Sequence, residues 1–349
     1  MQYTVIKEHK IDRKNGINNR IAEFDFIRAI CTLGIVINHY TIAVDKYCKY
    51  IQYFSEWIRK LWIFYRYHFF ILSGVLLYQH HADLKNITKF YIKRLYSIYP
   101  SYYVAYLPVF LLLLLLRPGY FKQAHPVAFF LTILGFDGYT SKAISNYYTL
   151  VGDWFLGIII LLYIVFPFIL KGVKKNSGIY LFVALAFFIA FLNWRMLNQN
   201  AFRNIFSCVL SFSLGMIIEK LHLYKYISIP VLLTLCFTPI GFLVNFNILV
   251  HIVGICLFFI LYYCGSVLKK YSLICAFDTI ISKVSYEMFL IQHVIIVFAC
   301  DFIKIDKSLK FISGLIALIV VIYIAALIIK RISSCLTKGI KRFVQNGRE

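Results

Sequence analysis

Charged residues are scarce in this chain of 349 residues, in which only 15% of positions are Asp, Glu, Lys or Arg. Hydrophobic residues make up 61% of the sequence, and the mean hydropathy is +0.76. A soluble domain of this size would need far more polar surface, so an ordinary soluble protein is excluded. The composition instead predicts an all-α, polytopic membrane protein built as one helical bundle.

Acidic residues are particularly few, with 15 Asp and Glu against 37 Lys and Arg and a formal net charge of +22. A charge of this size can indicate binding to nucleic acid. Here, however, the basic residues lie between the apolar runs rather than on one soluble face. We therefore expect no nucleic-acid partner, and we expect these residues to meet the head groups of membrane lipids.

Several motifs that would indicate other activities are absent. The sequence contains no P-loop, no Gly-x-Ser-x-Gly elbow and no soluble hydrolase module. Its nine cysteines lie mostly inside apolar runs without metal-ligand spacing, so we expect neither a disulfide framework nor a metal site. His80 and His81 are adjacent, and adjacent helical residues point about 100° apart, which does not suit one metal ion. The first twenty residues are polar and basic, and no removable signal peptide is expected.

Ten apolar runs are long enough to cross a membrane. They lie near residues 24–44, 61–80, 98–116, 152–170, 179–194, 202–219, 227–244, 248–268, 284–303 and 312–330. A weaker run at 126–136 is too short to cross and is predicted to be re-entrant or interfacial. With ten spans both termini lie on one side, and the distribution of Lys and Arg favours the cytoplasm by about two to one. The expected parts are a cytoplasmic basic tail at 1–20, a membrane domain at 21–332 and a second cytoplasmic basic tail at 333–349.

Two polar residues stand out inside the first apolar run. Arg28 and His39 are eleven residues apart, so on a helix they share one face and lie about 16 Å apart along its axis. Each has a structural explanation by itself: an arginine that reaches the membrane surface, or a histidine bonded to a neighbouring helix. Together, and beside Asn38, they indicate a functional polar track, because an arginine in a membrane span usually faces a protein interior or a wet cavity.

The second apolar run contains further polar residues. Ser73 and Gly74 are small enough to let helices approach closely, which is their simplest role. His68 lies five residues before Ser73 in a largely apolar stretch, and a structural explanation for it is less obvious. It is therefore a supporting site candidate.

Two other groups of polar residues also need an explanation. Glu287 and His293 lie inside an apolar run and need a partner or a cavity there. Lys93 and Arg94 either meet anionic lipids or bind the phosphates of a cytosolic ligand. The sequence does not choose between these two roles.

The order of these motifs resembles the acyltransferase 3 family, integral-membrane O-acyltransferases that modify polysaccharides and other surface glycans. The resemblance covers about residues 20–330 and rests on Arg28-x10-His39, Phe69-Phe-Ile-Leu-Ser-Gly74, Lys93-Arg94 with Tyr99-Pro100, Trp154-Phe-Leu with Tyr163 and Pro167, and Ser285-Tyr with Leu-Ile-Gln-His293. It implies a ten-helix core, no bound cofactor and an acyl-CoA co-substrate, usually acetyl-CoA. It further implies a glycan or lipid-linked saccharide acceptor and a multi-pass protein of the bacterial cytoplasmic membrane.

The resemblance also implies roles for single residues. His39 is similar to the catalytic histidine of the family and Arg28 to its partner in the first-helix motif. Two positions depart from the pattern: Ser97 stands where many members have a second arginine, and Ile159 where many have a carboxylate. An acidic partner would then come from elsewhere, for example from Glu287, Asp25 or Asp153.

The implied chemistry needs few groups, because an acyl thioester is already activated. A base must take the proton of the acceptor hydroxyl, and a donor must stabilise the developing oxyanion. Our hypothesis is that His39 is this base or forms an acyl-histidine, and the two alternatives stay open. The phosphates of CoA would be held by Arg28, Arg94 and Lys93. The oxyanion donors under consideration are Ser73, His68 and Asn38.

The main alternative is a transporter or flippase for a polysaccharide or glycolipid, which ten spans with intramembrane charges would also suit. It predicts movement of a substrate without any acylated product. Transporters built from inverted repeats often have matching broken helices in their two halves, and the sequence shows none. A purely structural membrane partner would leave Arg28 and His39 without a role.

Overall fold

The computed structural model describes residues 21–44, 52–144, 148–152, 154–192, 203–226, 228, 246–302 and 308–346. These residues are mainly helical, and no β-strand occurs among them. The all-α class is therefore confirmed for the described part of the chain. The helices are α1 (Ala22–Val44), α2 (Gln52–His81), α3 (Ile87–Leu116), α4 (Pro126–Ile133), α5 (Asp137–Thr140), α6 (Trp154–Lys175), α7 (Ser177–Ala190), α8 (Ile205–Leu221), α9 (Phe246–Leu268), α10 (Ser272–Lys283), α11 (Ser285–Phe302) and α12 (Ser308–Asn346).

Five of these helices are long and apolar enough to cross a membrane: α1, α3, α6 and most of α9 and α12. A sixth span results if α10 and α11, which meet at a bend of 69°, are counted as one broken span. The chain is thus an integral membrane protein. The count of ten spans and the cytoplasmic termini stay predictions, and the run at 227–244 lies almost entirely outside the described residues.

Two spanning helices are longer than their apolar runs. Helix α12 contains 39 residues, and α3 begins at Ile87, where the side chain of Asn86 accepts a hydrogen bond from the backbone N–H of Lys89 at 2.8 Å. Lys and Arg are good helix formers, so each helix continues through the basic residues that flank its apolar part. Hydropathy alone therefore locates the span but not the end of the helix.

Helices α2 and α8 approach each other closely through two glycines. A Cβ atom at Gly74 would overlap the backbone carbonyl of Phe212, and one at Gly215 would overlap that of Ile71. Only glycine permits this backbone contact, which confirms the close-approach role predicted for Gly74. The contact also determines where the neighbouring Ser73 lies.

The weak apolar run at 126–136 forms the eight-residue helix α4, which is followed by the four-residue helix α5. Neither helix is long enough to cross a membrane, in agreement with the sequence. The hydroxyls of Tyr102, Tyr103 and Tyr99 donate to the carbonyls of Thr132, Ile133 and Leu134, at 2.8, 2.6 and 3.0 Å. Carbonyls at a helix C-terminus have no partner within the helix, so α3 satisfies the end of α4.

Candidate active site

A cavity of about 800 Å³ lies where α1, α2, α3, α6 and α10 to α12 converge. Its positively charged lining consists of Arg28, Lys93, Arg94, Lys283 and Lys330. Apolar residues lining the cavity include a group formed by Ile35, Phe69, Phe155, Leu156, Ile159 and Phe289, while Ile21, Phe24, Leu76, Leu77 and Ile98 line other parts of it. Arg28 and Ile35 are about 10 Å apart along α1, so the cavity extends along this helix from the cationic residues to this apolar group. We call these two groups the cationic end and the apolar end.

Arg28 is held at the cationic end by a neighbouring carboxylate. Its Nη1 lies 3.6 Å from Oδ1 of Asp25, one turn earlier in α1. The same Asp25 oxygen accepts a hydrogen bond from Ser282 Oγ at 2.9 Å, which connects α1 to α10. The arginine side chain is 25% exposed, so a ligand can reach part of the guanidinium.

Arg94 is fixed between aromatic rings. Its guanidinium carbon lies 5.4 Å from the ring centroid of Phe90 and 5.5 Å from that of Tyr163. Its Nη2 lies 3.2 Å from Nε2 of His81, and since arginine only donates, His81 must accept through this nitrogen. The remaining guanidinium N–H groups form a rigid fork of the kind that suits phosphate.

Lys330 enters the cavity from α12. Its Nζ lies 3.7 Å from Oε2 of Glu287 and donates to the carbonyl of Lys283. The other Glu287 oxygen, Oε1, accepts from Ser101 Oγ at 3.0 Å. Ser101 is one turn beyond Ser97 on α3, and both Lys330 and Ser97, the position where the family arginine is missing, line the cavity.

His39 and His293 meet beyond the apolar end. Their ring centroids are 5.3 Å apart, and the ring planes form an angle of 73°. His39 is one helical turn beyond Ile35 in α1, and His293 is one turn beyond Phe289 in α11. Each histidine therefore continues a helix face that lines the cavity.

Only some of the site residues that the sequence predicts lie together in the cavity. The residues that line the cavity are Arg28, Ser73, Lys93, Arg94 and Glu287. Asn38, which precedes His39 in the chain, is buried. Its Oδ1 has no hydrogen-bond partner among the described residues. His68 is fully buried near the ring of Phe258 and does not line the cavity. Asp153 lies outside the described residues.

Sequence reasoning missed two cations and an aromatic wall in this cavity. Lys330 and Lys283 counted only as basic residues that indicate topology, and no local pattern directs either of them into a cavity. Phe155 was part of the Trp154-Phe-Leu motif, but its role as lining requires the packing of α6 against α11. These contacts join distant parts of the chain, so only the structure reveals them.

A second buried polar cluster was also missed. His251 on α9 lies 2.9 Å through Nε2 from Ser207 Oγ and 3.1 Å through Nδ1 from Ser211 Oγ. Ser207 in turn lies 3.2 Å from the hydroxyl of Tyr67 on α2. The cluster joins α2, α8 and α9 with both ring nitrogens of His251 satisfied. It therefore serves to hold helices together.

The fold and the site define an all-helical integral membrane protein with a positively charged internal cavity. A family model described as Acyltransferase domain, that of the acyltransferase 3 family, matches residues 21–331. This match covers nearly the whole chain, and the chain belongs to that family. Membership implies membrane acyltransferase activity, and it confirms the resemblance drawn from the motifs. No curated protein and no solved structure matches the chain.

Proposed function

We propose that this protein is a membrane O-acyltransferase that moves an acyl group, expected to be acetyl, from cytosolic acyl-CoA to a hydroxyl of a surface polysaccharide or lipid-linked glycan. The observation that carries the proposal is a cavity with a cationic end, an apolar end and a histidine pair one turn beyond it. We place the cationic end and both chain termini at the inner face of the bacterial cytoplasmic membrane. The excess of basic residues on that side supports this orientation.

The cationic end suits the phosphates of CoA. Five cations and two carboxylates line the cavity, so it attracts an anionic ligand. Arg94 supplies a rigid fork for one phosphate. Lys330 and Lys283 supply positive charge to the same cavity that Ser97 lines, and Ser97 is the position where the resemblance to the family implies an arginine in many members. The departure at Ser97 therefore does not remove the means of binding a donor.

The apolar end suits the neutral part of the donor. With its phosphates at Arg94, acyl-CoA would extend its pantetheine arm along the cavity towards Ile35 and Phe289. The thioester would then lie within about one helical turn of His39. This arrangement brings the donor from one side and leaves the other side of His39 for the acceptor.

His39 is proposed to act as the general base. Its imidazole takes the proton of the acceptor hydroxyl while the hydroxyl oxygen attacks the thioester carbon. As the new C–O bond forms and the C–S bond breaks, the imidazolium returns its proton to the CoA thiolate. The products are an O-acyl ester and free CoA. An acyl-histidine formed on His39 would reach the same products in two steps.

Three neighbouring residues are proposed to support this step. His293 lies edge-on to His39 and orients its ring. Asn38 Oδ1, which is buried and has no hydrogen-bond partner in the part of the chain that the structure describes, would accept a hydrogen bond from the acceptor hydroxyl if the substrate reaches it. Ser73 lines the cavity and can donate to the developing oxyanion.

The test is His39→Ala, with surface glycans analysed by mass spectrometry in cells that carry the variant or the unaltered protein. We expect the mass increment of the acyl group to disappear with His39→Ala. His222→Asn is the matched control, because His222 lies away from the cavity at a left-handed position that asparagine tolerates. Unchanged acylation with His39→Ala would refute the assignment. Movement of a glycan without acylated product would favour a transporter.

A further inference from the structure

Three phenylalanine rings line the apolar end of the cavity. The ring centroid of Phe155 lies 5.2 Å from that of Phe289 and 5.7 Å from that of Phe69. Both contacts are edge-to-face, with angles of 66° and 67° between the ring planes. All three side chains line the cavity, so together they form one aromatic wall at its apolar end.

This wall is supported from behind. Phe70 packs on Phe155 with 5.0 Å between the ring centroids, and only 1% of Phe70 is exposed. Trp154, which is also buried, contacts the ring of Phe70 at 6.3 Å. Close-packed aromatic groups of this kind cannot move aside without creating a void elsewhere.

A backbone hydrogen bond also connects α6 and α11, two of the three helices that carry the wall. The N–H of Gly152, just before α6, donates to the carbonyl of Leu290 in α11 at 3.0 Å. Leu290 directly follows Phe289, and Gly152 is three residues before Phe155. The two rings are therefore held together by a hydrogen bond as well as by their own contact.

Resting on the proposed function, we propose that Phe155 and Phe289 determine the length of the transferred acyl group and restrict the donor to short-chain acyl thioesters. An acyl group that is attached to a thioester near His39 points into the apolar end. There its carbon chain meets the two rings after very few methylene groups. Both residues are thus specificity-determining residues of the donor site.

The expected selectivity follows from the cost of fitting methylene groups. A single methylene that a pocket cannot accept lowers the transfer rate by about 10- to 200-fold. Phe289→Ala removes a whole aromatic ring and creates room for several chain carbons. Each methylene that this space buries then improves use of the donor about fourfold, so two methylenes give roughly 15-fold.

The experiment uses the full chain in lipid nanodiscs with a series of saturated acyl-CoA donors from acetyl to octanoyl, each competing with acetyl-CoA. The variants are Phe289→Ala, Phe289→Leu and Phe155→Leu. The two leucine variants preserve most of the packing if alanine prevents folding. Phe187→Leu is the matched control, since Phe187 lies on α7 away from the cavity and is 50% exposed.

We expect the unaltered protein and Phe187→Leu to prefer acetyl-CoA, with a steep loss for each added methylene. The wall variants should shift the preference towards butyryl or longer donors. An unchanged chain-length profile in all folded wall variants, or efficient octanoyl transfer by the unaltered protein, would overturn the inference while leaving acyl transfer established. A failure of the proposed function would look different, because no acyl-CoA would then donate to any acceptor.

Discussion

Replacing Lys330 with methionine tests the donor site directly, because the change removes one ammonium and keeps most of the length of the side chain. In the structure the ammonium contacts Glu287 at 3.7 Å and the carbonyl of Lys283. Lys330→Met therefore removes one of the five cations that line the cavity. It also removes the ion pair of Glu287, so that carboxylate repels an anionic ligand more strongly. Both effects weaken the binding of acyl-CoA.

The size of the effect follows from exposure and charge. A hydrogen bond between charged groups contributes about 1.5–3 kcal/mol. The Lys330 side chain is 42% exposed, so solvent screening favours the lower end of this range. Since about 1.4 kcal/mol corresponds to a tenfold change in Kd, we expect roughly tenfold weaker binding. The loss should decrease as salt is added, because salt screens exposed charges.

Glu287→Gln is the companion variant, because it should not weaken the binding of acyl-CoA as Lys330→Met does. It removes a negative charge from the cavity and frees Lys330 for a phosphate, so binding of acyl-CoA should be retained or strengthened. The double variant with Lys330→Met removes both charges. Comparison of the four proteins separates the lost contact with phosphate from the added repulsion by Glu287.

The assay is isothermal titration of the purified protein in nanodiscs with acetyl-CoA at low and at moderate salt. Lys338→Met is the control, because Lys338 is an exposed lysine on the same helix about two turns further on and does not line the cavity. If Lys330→Met binds acetyl-CoA as tightly as the control at both salt concentrations, Lys330 does not contact the donor. The reasoning from cavity charge would then be wrong.

Two further predictions concern stability. Gly74→Ala should lower the free energy of unfolding by about 1–3 kcal/mol, because its Cβ meets the backbone of α8. Gly339→Ala, where a Cβ meets nothing within 4 Å, should be neutral or stabilising in thermal unfolding, and equal loss in both variants would contradict the packing argument. Burial raises the pKa of Asp137, in α5 outside the spanning helices, from 3.8 to about 7. The folded protein therefore binds the Asp137 proton more tightly than the unfolded chain does. Since the unfolded chain loses this proton first, the free energy of unfolding falls as the pH rises from 3.8 to about 7. Asp137→Asn should then be more stable than the unaltered protein at pH 8, with a difference that shrinks as the pH falls; a difference independent of pH would refute this.

Helix α1 shows how much of the fold the local sequence predicts. The apolar run at 24–44 forms a helix at Ala22–Val44, because an apolar segment in lipid must satisfy its backbone hydrogen bonds internally. The regular turn of that helix also places Arg28 and His39 on one face. The ends of α3 and α12 were not predicted, since helix propensity continues into the basic residues where hydropathy falls.

The candidate site was predictable only in part. Five polar residues that the sequence picks out in or near apolar runs all line the cavity: Arg28, Ser73, Lys93, Arg94 and Glu287. The contact of Ser101 with Glu287 joins residues 186 positions apart, and no local pattern encodes such a pair. The same holds for Lys330, whose position depends on how α12 packs against α3 and α11.

The sequence by itself determined the membrane class, the position of most described helices, the family and the shared face of Arg28 and His39. These features depend on hydropathy, helical periodicity and motif order, all of which are local or linear properties of the chain. The tertiary structure decided that His39 meets His293, that Lys330 and Ser97 line one cavity and that Phe155 packs against Phe289 in its wall. Such contacts depend on how each helix is rotated and how closely it approaches its neighbours, as Gly74 does against α8, and only the packed bundle determines that geometry.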